Sequence, residues 1–535
     1  KLQLPKLHST ERRSLKQEKL VLQNSLPERL SYYKTFIRES FARKKSVFLI
    51  LPTIHDAEFF REYLSKGVEN YTFIFHNEKP KKEFIEKYNA LALEDHPVLV
   101  IATPPYLFLI NNKFGSVIIE PESSRVYKLM GRPYWDMRTW TEILTAEFNI
   151  KLIFADMLLR IETLGRLKSY ELAEILPPVY RTLGLAKKEL VDMKSDPSTS
   201  FDKTQDRPLG VNKKFSVLSD RLTQIIEEDR DKKTFLFSSR KGLGSLTVCN
   251  DCSSPLLCKS CAKPLILQGD KKSRVFACHH CKIINNAMTK CNTCFSWNLK
   301  ALGIGTDLIY QEIKEKFPKR RAFILDKEHA KTAVTAKKII EEFYASPGAI
   351  LVGTEMAFYY LADKIENVAI VSFDSLSALP DFRMNERMMH ILLELDKYAT
   401  ESFIIQTRQP KEDTLAQFLS GNLSEFARRE LEIREKLSYP PFSTLIKITY
   451  RGPKNNLEKA SEYLRNLFKD YEPTIFSAFV PKIKNLYVLN VVLKIKRNDW
   501  TLPEISNGNL DQKLLQKLMS LPPALSVEID PDSLL

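Results

Sequence analysis

The sequence has no cysteine outside residues 249–294 and no apolar run as long as the ~18 residues that a membrane-crossing helix needs. Its basic N-terminal stretch, KLQLPKLHSTERRSLKQEK, also lacks the apolar core of a signal peptide. These absences argue against a membrane-spanning or secreted protein. They predict a cytoplasmic protein with no membrane partner.

What the chain does contain is enough apolar material for several folded domains. It has 535 residues, of which 44% are hydrophobic and 10% aromatic. Because a single core rarely grows beyond about 250 residues, three or four domains are expected. The net charge of +15, from 81 Lys and Arg against 66 Asp and Glu, favours a polyanionic partner. A solvated basic face is an equally good explanation of that charge.

The order of apolar segments predicts an α/β fold with parallel sheets. Near-continuous apolar strands such as SVFLILP and NIKLIFAD alternate with amphipathic helical segments in residues 1–190. A polar linker is predicted at residues 191–214. A second α/β region follows at residues 215–424, with a cysteine-rich module at residues 245–297, and an α+β domain at residues 425–535.

The cysteines form four C-x2-C pairs, separated by five, sixteen and nine residues. Each pair places two thiolates on one tight turn, and two turns complete a tetrahedral zinc site. Sixteen residues suit a zinc ribbon, whereas five are few for two turns to face each other. The preferred pairing is therefore nested, with the crossed pairing as its rival. The nested arrangement binds one Zn2+ through Cys258, Cys261, Cys278 and Cys281, and a second through Cys249, Cys252, Cys291 and Cys294.

The alternatives to a zinc module are weaker. A disulfide cluster does not suit a cytoplasmic chain in which every cysteine belongs to a C-x2-C pair. His279 and His280 are possible ligands, but eight thiolates already complete two sites. A catalytic zinc keeps one position open for water, so two all-thiolate sites predict structural metal ions. The module has seven Lys and Arg against two Asp, which suits nucleic acid or an acidic protein.

This double zinc module within the second α/β region resembles that of the primosomal replication-restart helicase family, primosomal protein N-prime (PriA). The resemblance covers roughly residues 20–535, and the cysteine spacing and YPPFS are its most specific parts. Further matching stretches are FLFSSRKGLG, LGIGTDLIYQEIKEKFP, VGTEMAFYYLADKIENVAIVSFDSLSALPDFRMNER, REKLSYPPFSTLIKI and VEIDPDSLL. The family also has an N-terminal DNA-binding domain and a winged helix, without counterpart in these residues. Either the chain is cut or it lacks them.

The resemblance implies two RecA-like helicase lobes, but the nucleotide-binding motifs of the family are degenerate here. In LQNSLPERLSYY, the stretch matching the phosphate-binding loop, there is no glycine and no lysine. Arg29 falls nearest the lysine position and Leu30 nearest the hydroxyl position. Where the family has D-E-E-H, this chain has Glu120, Pro121, Glu122 and Ser123. Where the family has S-A-T, it has Ala155, Asp156 and Met157. Tyr398 and Glu401 stand at the positions of two arginines. No catalytic or nucleotide-binding residue is predicted, and binding of ATP and Mg2+ is left open.

One feature of the first lobe is retained in the segment VYKLMGRPYWDMRTW, which resembles the aromatic-rich loop of the family. Aromatic and Arg side chains stack on unpaired bases while Lys and Arg follow the phosphates. The predicted DNA contacts are Tyr127, Lys128, Arg132, Tyr134, Trp135 and Arg138. Packing within the protein is an equal alternative for Trp135 and for Trp140.

Three functions remain open from the sequence. The leading hypothesis is a PriA-like protein of replication restart that binds forked or single-stranded DNA without ATP turnover and acts with replication-restart and helicase-loading proteins. The second is an active ATP-dependent 3'-5' DNA helicase with diverged motifs. The third is a zinc-bearing protein-interaction module without a DNA role. ATP hydrolysis separates the first two, and salt-dependent fork binding separates both from the third.

Overall fold

The structure is a computed structural model and divides the chain into two compact units. Unit 1 comprises residues 1–179 and 431–535, and unit 2 comprises residues 180–430. The residues that the structure describes are 17–77, 80–177, 184–195, 216–239, 245–249, 256–259, 265–268, 275–278, 283–285, 289–292, 294–303, 305–377, 381–483, 486–496 and 511–534.

The first part of unit 1 is a parallel sheet of seven strands in the order β3-β4-β2-β5-β6-β1-β7. Its elements are β1 (Lys19–Gln23), α1 (Leu26–Ala42), β2 (Ser46–Ile50), α2 (Ile54–Leu64), β3 (Thr72–Phe75), α3 (Lys81–Leu93), β4 (Leu99–Ala102), β5 (Phe114–Ile119), α4 (Met137–Glu147), β6 (Lys151–Asp156), α5 (Ile161–Lys168) and β7 (Ala173–Glu174).

Both faces of this sheet are buried, which explains the continuous apolar strands. Along β2, Phe48 and Ile50 belong to the apolar core on one face. Val47 and Leu49 belong to the core on the other face, where Tyr33 of α1 also packs. Alternate side chains of a strand point to opposite faces, so a strand covered on both sides needs apolar residues at every position.

Unit 2 contains a parallel sheet of six strands in the order β15-β16-β9-β17-β18-β8. Its elements are β8 (Lys187–Asp192), α6 (Asp220–Glu228), β9 (Thr234–Phe237), β10 (Ser245–Cys249), β11 (Ile266–Gln268), β12 (Val275–Ala277), β13 (Ile284–Asn285), β14 (Leu299–Gly303), α7 (Thr306–Lys316), β15 (Ala322–Leu325), α8 (Ala333–Ala345), β16 (Ile350–Gly353), β17 (Ile365–Ile370), α9 (Phe373–Ser377), α10 (Met384–Tyr398), β18 (Ala399–Thr407) and α11 (Asp413–Leu419). The cysteine-rich module lies between β9 and α7.

The last part of the chain begins with α12 (Leu423–Lys436), which crosses the boundary between the units. It continues in unit 1 with β19 (Ser443–Gly452), α13 (Leu457–Leu467), β20 (Thr474–Ile483), β21 (Leu486–Lys496), α14 (Gln512–Met519) and β22 (Leu525–Ile529). The four strands form an antiparallel sheet in the order β20-β21-β19-β22. One face packs on α13 and α14 through Leu464, Phe468 and Leu514.

The predicted fold class is confirmed. Two parallel sheets flanked by helices are present, the cysteine-rich module is inserted in the second, and the C-terminal sheet is antiparallel. Among the described residues, no helix has the length and apolar character to cross a membrane.

The expected domain boundaries stay a prediction, and the two compact units divide the chain in another way. β8 lies in the region assigned to the first lobe and the linker, yet it pairs with β18 in the sheet of unit 2. Its residues are half-buried or exposed, so it lacks the apolar run that marks the inner strands. Most of the expected linker, residues 196–214, lies outside the described residues. Residues 431–535 join unit 1 rather than forming a separate unit.

Candidate functional site

The turn between β1 and α1 occupies the place of the phosphate-binding loop. Ser25 is the N-cap residue of α1, but its side chain accepts no capping hydrogen bond from the backbone of the helix. A proline lies in the first turn. The Ser25 hydroxyl instead donates to the Glu28 carboxylate at 2.8 Å, on the exposed side. Pro27 supplies no N–H group, and a carboxylate at the start of the helix repels phosphate. The local sequence therefore builds a helix start without an anion cradle.

The side chain of Arg29 turns inward and pairs with Glu120 at the end of β5. Its Nη2 lies 2.6 Å from Oε1 of Glu120, and its Nε donates to Oε2 at 2.9 Å. The Tyr33 hydroxyl donates to the same Oε2 at 2.5 Å. Arg29 also donates through Nη1 to the carbonyl of Asn24. Arg29, which falls nearest the lysine of the phosphate-binding motif, thus pairs with Glu120, which stands at the first position of D-E-E-H.

This triad of Arg29, Tyr33 and Glu120 is buried, with each residue at most 4% exposed. Burial raises the pKa of Glu120, and Arg29 opposes that shift. Burial disfavours the charge of Arg29, but Glu120 outweighs it and holds the pKa of the guanidinium above its ordinary value. Burial together with Glu120 raises the pKa of Tyr33 well above its ordinary value. An incoming phosphate would have to displace Glu120 from Arg29 and Tyr33, leaving a buried carboxylate without its partners.

The neighbouring polar groups of the degenerate motifs are also engaged within the protein. Glu122 accepts from the backbone N–H of Arg160 at 2.9 Å and from the hydroxyl of Thr163 at 2.8 Å. Asp156 accepts from the backbone N–H groups of Ser123 and Met157 at 2.8 and 2.7 Å. Carboxylates that in the related motif would hold Mg2+ and water here bind the turns that follow β5 and β6.

The two residues at the expected arginine positions lie in unit 2. Tyr398 is 3% exposed and packs against Phe358 with ring centres 6.5 Å apart. Glu401 forms an ion pair with Lys232. Neither side chain is a donor suited to a γ-phosphate at neutral pH.

Three of the predicted zinc ligands meet in the cysteine-rich module. The sulfur atoms of Cys249, Cys291 and Cys294 all lie within 4.8 Å of one another. The Cys249 and Cys294 sulfurs are 3.4 Å apart. Sulfurs bound to one Zn2+ at ~2.3 Å fall in this range of separation, so the three residues fit a thiolate metal site. They are members of one set in the nested arrangement, whose fourth member, Cys252, lies outside the described residues.

The second set is only partly described. Cys258 and Cys278 are both buried, while Cys261 and Cys281 lie outside the described residues. β11 pairs with β12 in antiparallel register, as expected for the hairpin of a zinc ribbon, although its turn at Gly269 and Asp270 is not described. The second zinc ion therefore stays a prediction.

The aromatic-rich loop connects β5 to α4, and its predicted DNA contacts Tyr127, Lys128 and Arg138 are buried. Tyr127 is 1% exposed and donates to the carbonyls of Ile50 and Glu120. Arg138 binds both carboxylate oxygens of Asp136, at 2.9 and 2.8 Å. In this conformation neither side chain is available to a DNA strand. Their contacts hold the loop in this conformation, and DNA contact by Tyr127 and Arg138 stays a prediction.

The basic residues nearer the tip bind the C-terminal strand of the same unit. The Lys128 ammonium donates to the carbonyl of Ile529 at 2.7 Å, and burial lowers its pKa. Arg132 donates to the carbonyls of Pro523 and Leu525 at 2.7 and 2.9 Å. Nothing in the sequence signalled these contacts, because backbone carbonyls carry no residue-specific pattern.

The tryptophans of the loop remain at the surface. Trp135 is 49% and Trp140 39% exposed, and their rings are stacked with centres 5.1 Å apart and planes 7° apart. Tyr134, half-buried, lies beside them with a positive φ of 57°. Of the predicted DNA contacts, Tyr134 and Trp135 remain proposals with an accessible ring.

The resemblance to the PriA family is confirmed by curated relatives. The chain is 25% identical over 415 residues to the replication restart protein PriA of Borreliella burgdorferi, covering 74% of this chain and 59% of that protein. PriA of Rickettsia conorii is 24% identical, with 78% and 64% covered, and PriA of Helicobacter pylori 23%, with 87% and 72% covered. The chain thus spans less than two thirds of the first two relatives. No protein-family model matches it.

Solved structures similar to the chain include RecG bound to a three-way DNA junction, at TM-score 0.41 and 12% identity, covering 78% of this chain and 44% of that one. Another is S. cerevisiae Dbp5 bound to RNA and ADP BeF3, at TM-score 0.40 and 9% identity, covering 77% and 83%. These TM-scores are too low to support an argument about function.

Proposed function

We propose that this PriA-like chain takes part in DNA replication restart by binding forked or single-stranded DNA, and that it does so without ATP turnover. The observation that carries the first part is similarity to PriA proteins over 74 to 87% of the chain. In this role the protein acts in the cytoplasm as a scaffold for replication-restart and helicase-loading proteins.

The buried triad supports the absence of ATP turnover. Phosphoryl transfer is catalysed by positioning and charge stabilisation, so an enzyme needs a cation and acidic groups free to meet phosphate and Mg2+. Here Arg29 and Glu120 neutralise each other at 2.6 Å. Glu122 and Asp156 accept hydrogen bonds from neighbouring turns. A nucleotide gains no contact from any of these groups unless an existing one breaks.

DNA contact is proposed for the accessible part of the aromatic-rich loop and for the zinc module. Trp135 and Tyr134 offer rings for stacking, and Arg132 lies at the exposed edge of the same loop. The eight cysteines are proposed to bind two structural Zn2+ ions in the nested arrangement. The metal supplies no chemistry to a reaction and stabilises the fold of a short segment.

The test combines two measurements on one preparation. Fluorescence anisotropy with a labelled fork, a single strand and a blunt duplex gives DNA affinity across a series of salt concentrations. Steady-state hydrolysis of ATP is followed with and without the fork. The expected results are fork or single-strand binding that weakens steeply with salt, and no ATP hydrolysis above background.

Each alternative function predicts a different result. DNA-stimulated ATP hydrolysis that Glu120→Gln abolishes would establish the diverged helicase. Absence of binding to any of the three DNA substrates at low salt, with both zinc ions present, would leave the protein-interaction module as the explanation. Binding of the duplex alone would also contradict the proposed function.

A further inference from the structure

The cysteine-rich module contains a cavity of about 670 Å3. Its volume lies within the ~300–1,000 Å3 range of ligand pockets. The described residues that line it include Cys258, Lys259, Ile283, Lys290, Cys291 and Phe295. Cys258 and Cys291 belong to different zinc sets in the nested arrangement, so one proposed ligand of each set borders the cavity.

Phe295 contributes an aromatic ring to the wall in an unusual backbone conformation. Its φ is +58°, in the left-handed region, where a bulky side chain is sterically disfavoured and glycine is not. Its N–H donates to the carbonyl of Cys291 at 3.1 Å, which closes the cysteine turn. The ring is nevertheless 69% exposed. The turn needs a positive φ but not a ring, so the ring is unexplained by the fold.

The remaining lining is mixed, with Leu and Ile side chains beside Asn285, Thr289 and Asn292. Of the apolar members, Ile283 and Ile284 are 40% and 67% exposed. Lys259 and Lys290 are the charged members among the described lining residues, which include no Asp and no Glu. The Lys290 ammonium lies 4.7 Å from the ring centre of Trp297, which keeps this charge beside the module surface.

We propose that this cavity binds an unpaired nucleobase of a single-stranded nucleic acid, with the base stacked on Phe295 and the flanking phosphates near Lys259 and Lys290. The inference rests on the proposed function and assigns one base site within it. Stacking on an aromatic ring accepts any base, and lysines attract the backbone without reading sequence. The site therefore predicts binding without sequence preference.

An acidic peptide is the competing occupant, and the lining residues favour the base. Carboxylates are best recognised by the planar, bidentate guanidinium of arginine, and the described lining residues include none. A flat, accessible ring beside exposed aliphatic side chains is suited instead to the face of a planar base.

The test uses Phe295→Gly, because glycine removes the ring and adopts the positive φ without strain. The full chain is titrated by anisotropy against a labelled oligothymidylate and against an abasic strand of equal length and charge. We expect Phe295→Gly to weaken oligothymidylate binding on the order of tenfold and to leave abasic binding unchanged. Phe295→Trp should retain parental affinity. Tyr170→Ala, which removes a ring that is 92% exposed in unit 1, is the matched control. It should change the affinity for neither the oligothymidylate nor the abasic strand.

Zinc content and thermal stability are measured on the same variants. Because glycine relieves backbone strain, Phe295→Gly should hold as much zinc as the parent and unfold at no lower temperature. A loss of zinc or a lower unfolding temperature would assign the ring a structural role and overturn the proposal.

Three other outcomes also overturn it, and they are distinguishable. If the parent binds DNA and Phe295→Gly binds oligothymidylate equally well, the cavity is not a base site while the proposed function stands. The same holds if an acidic peptide containing an aromatic residue binds the parent but not the variant. If the parent binds no DNA at all, the proposed function fails and this inference fails with it.

Discussion

The start of α1 in unit 1, where Arg29 meets Glu120, can be compared with the cysteine cluster of unit 2. Both bring polar side chains together, but they differ in how those side chains are satisfied. At the phosphate position, Arg29 and Glu120 carry opposite charges and neutralise each other at 2.6 Å. In the cluster, Cys249, Cys291 and Cys294 are chemically alike and lie within 4.8 Å. Opposite charges satisfy each other without a ligand, whereas three like thiol groups fit a shared metal ion.

The largest effect should come from removing the metal from the proposed zinc site of Cys249, Cys291 and Cys294. Structural zinc contributes ~10–16 kcal/mol of binding free energy in small zinc domains, and that energy stabilises the fold. We therefore expect Cys291→Ser to lose one of two zinc ions and to unfold the module. Zinc content and limited proteolysis of residues 245–303 measure this.

Unit 1 supplies the control for this variant, because the cluster lies entirely in unit 2. Protease protection of unit 1 should remain that of the parent. A variant that keeps both zinc ions, or a parent that binds only one, would contradict the nested assignment of the eight cysteines.

The second largest effect should come from breaking the buried ion pair of Arg29 and Glu120. Arg29→Met leaves Glu120 buried without its cation, and loss of one partner of a buried pair costs ~3–5 kcal/mol. Arg29→Met combined with Glu120→Leu should recover most of that loss, since both charges are then removed. Urea denaturation of unit 1 gives the free energies of unfolding.

Glu28→Gln is the matched control for that series, because Glu28 lies one residue away and its bond to Ser25 is exposed. It should alter the free energy of unfolding by less than ~0.5 kcal/mol. A double variant that is no more stable than Arg29→Met alone would show that the pair is not the source of the loss.

A smaller effect should appear as pH dependence in the aromatic-rich loop. Burial disfavours the charged Asp136, but Arg138 and Arg160 outweigh it and hold the pKa of the carboxyl below its usual range. Because the folded-state pKa is depressed, the stabilisation is complete above the ordinary pKa and is lost as pH falls through the folded value. A carboxylate of this kind contributes roughly 2–3 kcal/mol at neutral pH.

Asp136→Asn tests this contribution. The parent should be more stable than the variant at pH 7, and the difference should shrink as pH falls below ~4. A difference that stays constant between pH 7 and pH 3, measured by urea denaturation, would show that the aspartate acts through hydrogen bonds alone.

The smallest effects should separate the buried from the exposed members of the loop. Lys128→Met removes a charged hydrogen bond to Ile529 and should lower stability by ~1–3 kcal/mol while DNA affinity stays within about twofold. Trp135→Ala removes a half-exposed ring and should weaken single-strand binding several-fold while stability stays nearly unchanged. If Lys128→Met weakens DNA binding and leaves stability unchanged, the lysine contacts DNA after all.

The sequence predicted the elements whose side chains are buried on both sides. β2 and β6 are continuous apolar runs and were predicted from that pattern. β3 and β8 were missed because such edge strands carry fewer buried side chains. Cysteine spacing predicted a set of ligands that includes the three residues that meet in the structure.

The contacts that decide the phosphate position were not predictable from local pattern. Arg29 and Glu120 are 91 residues apart, and each was identified only as a departure from a family motif. Their opposite charges at two positions that would face one ligand were a signal that could have been used. Tyr33 gave no such signal, since a tyrosine on the inner face of α1 looks like an ordinary core residue.

The bond between Lys128 and Ile529 joins residues 401 positions apart within unit 1. A ribosome adds ~5–20 residues per second, so this acceptor is made tens of seconds after its donor. All 251 residues of unit 2, from 180 to 430, are synthesised during that interval. The cysteine-rich module is therefore synthesised while Lys128 and Arg132 still lack their carbonyl acceptors, and unit 1 is completed only after unit 2.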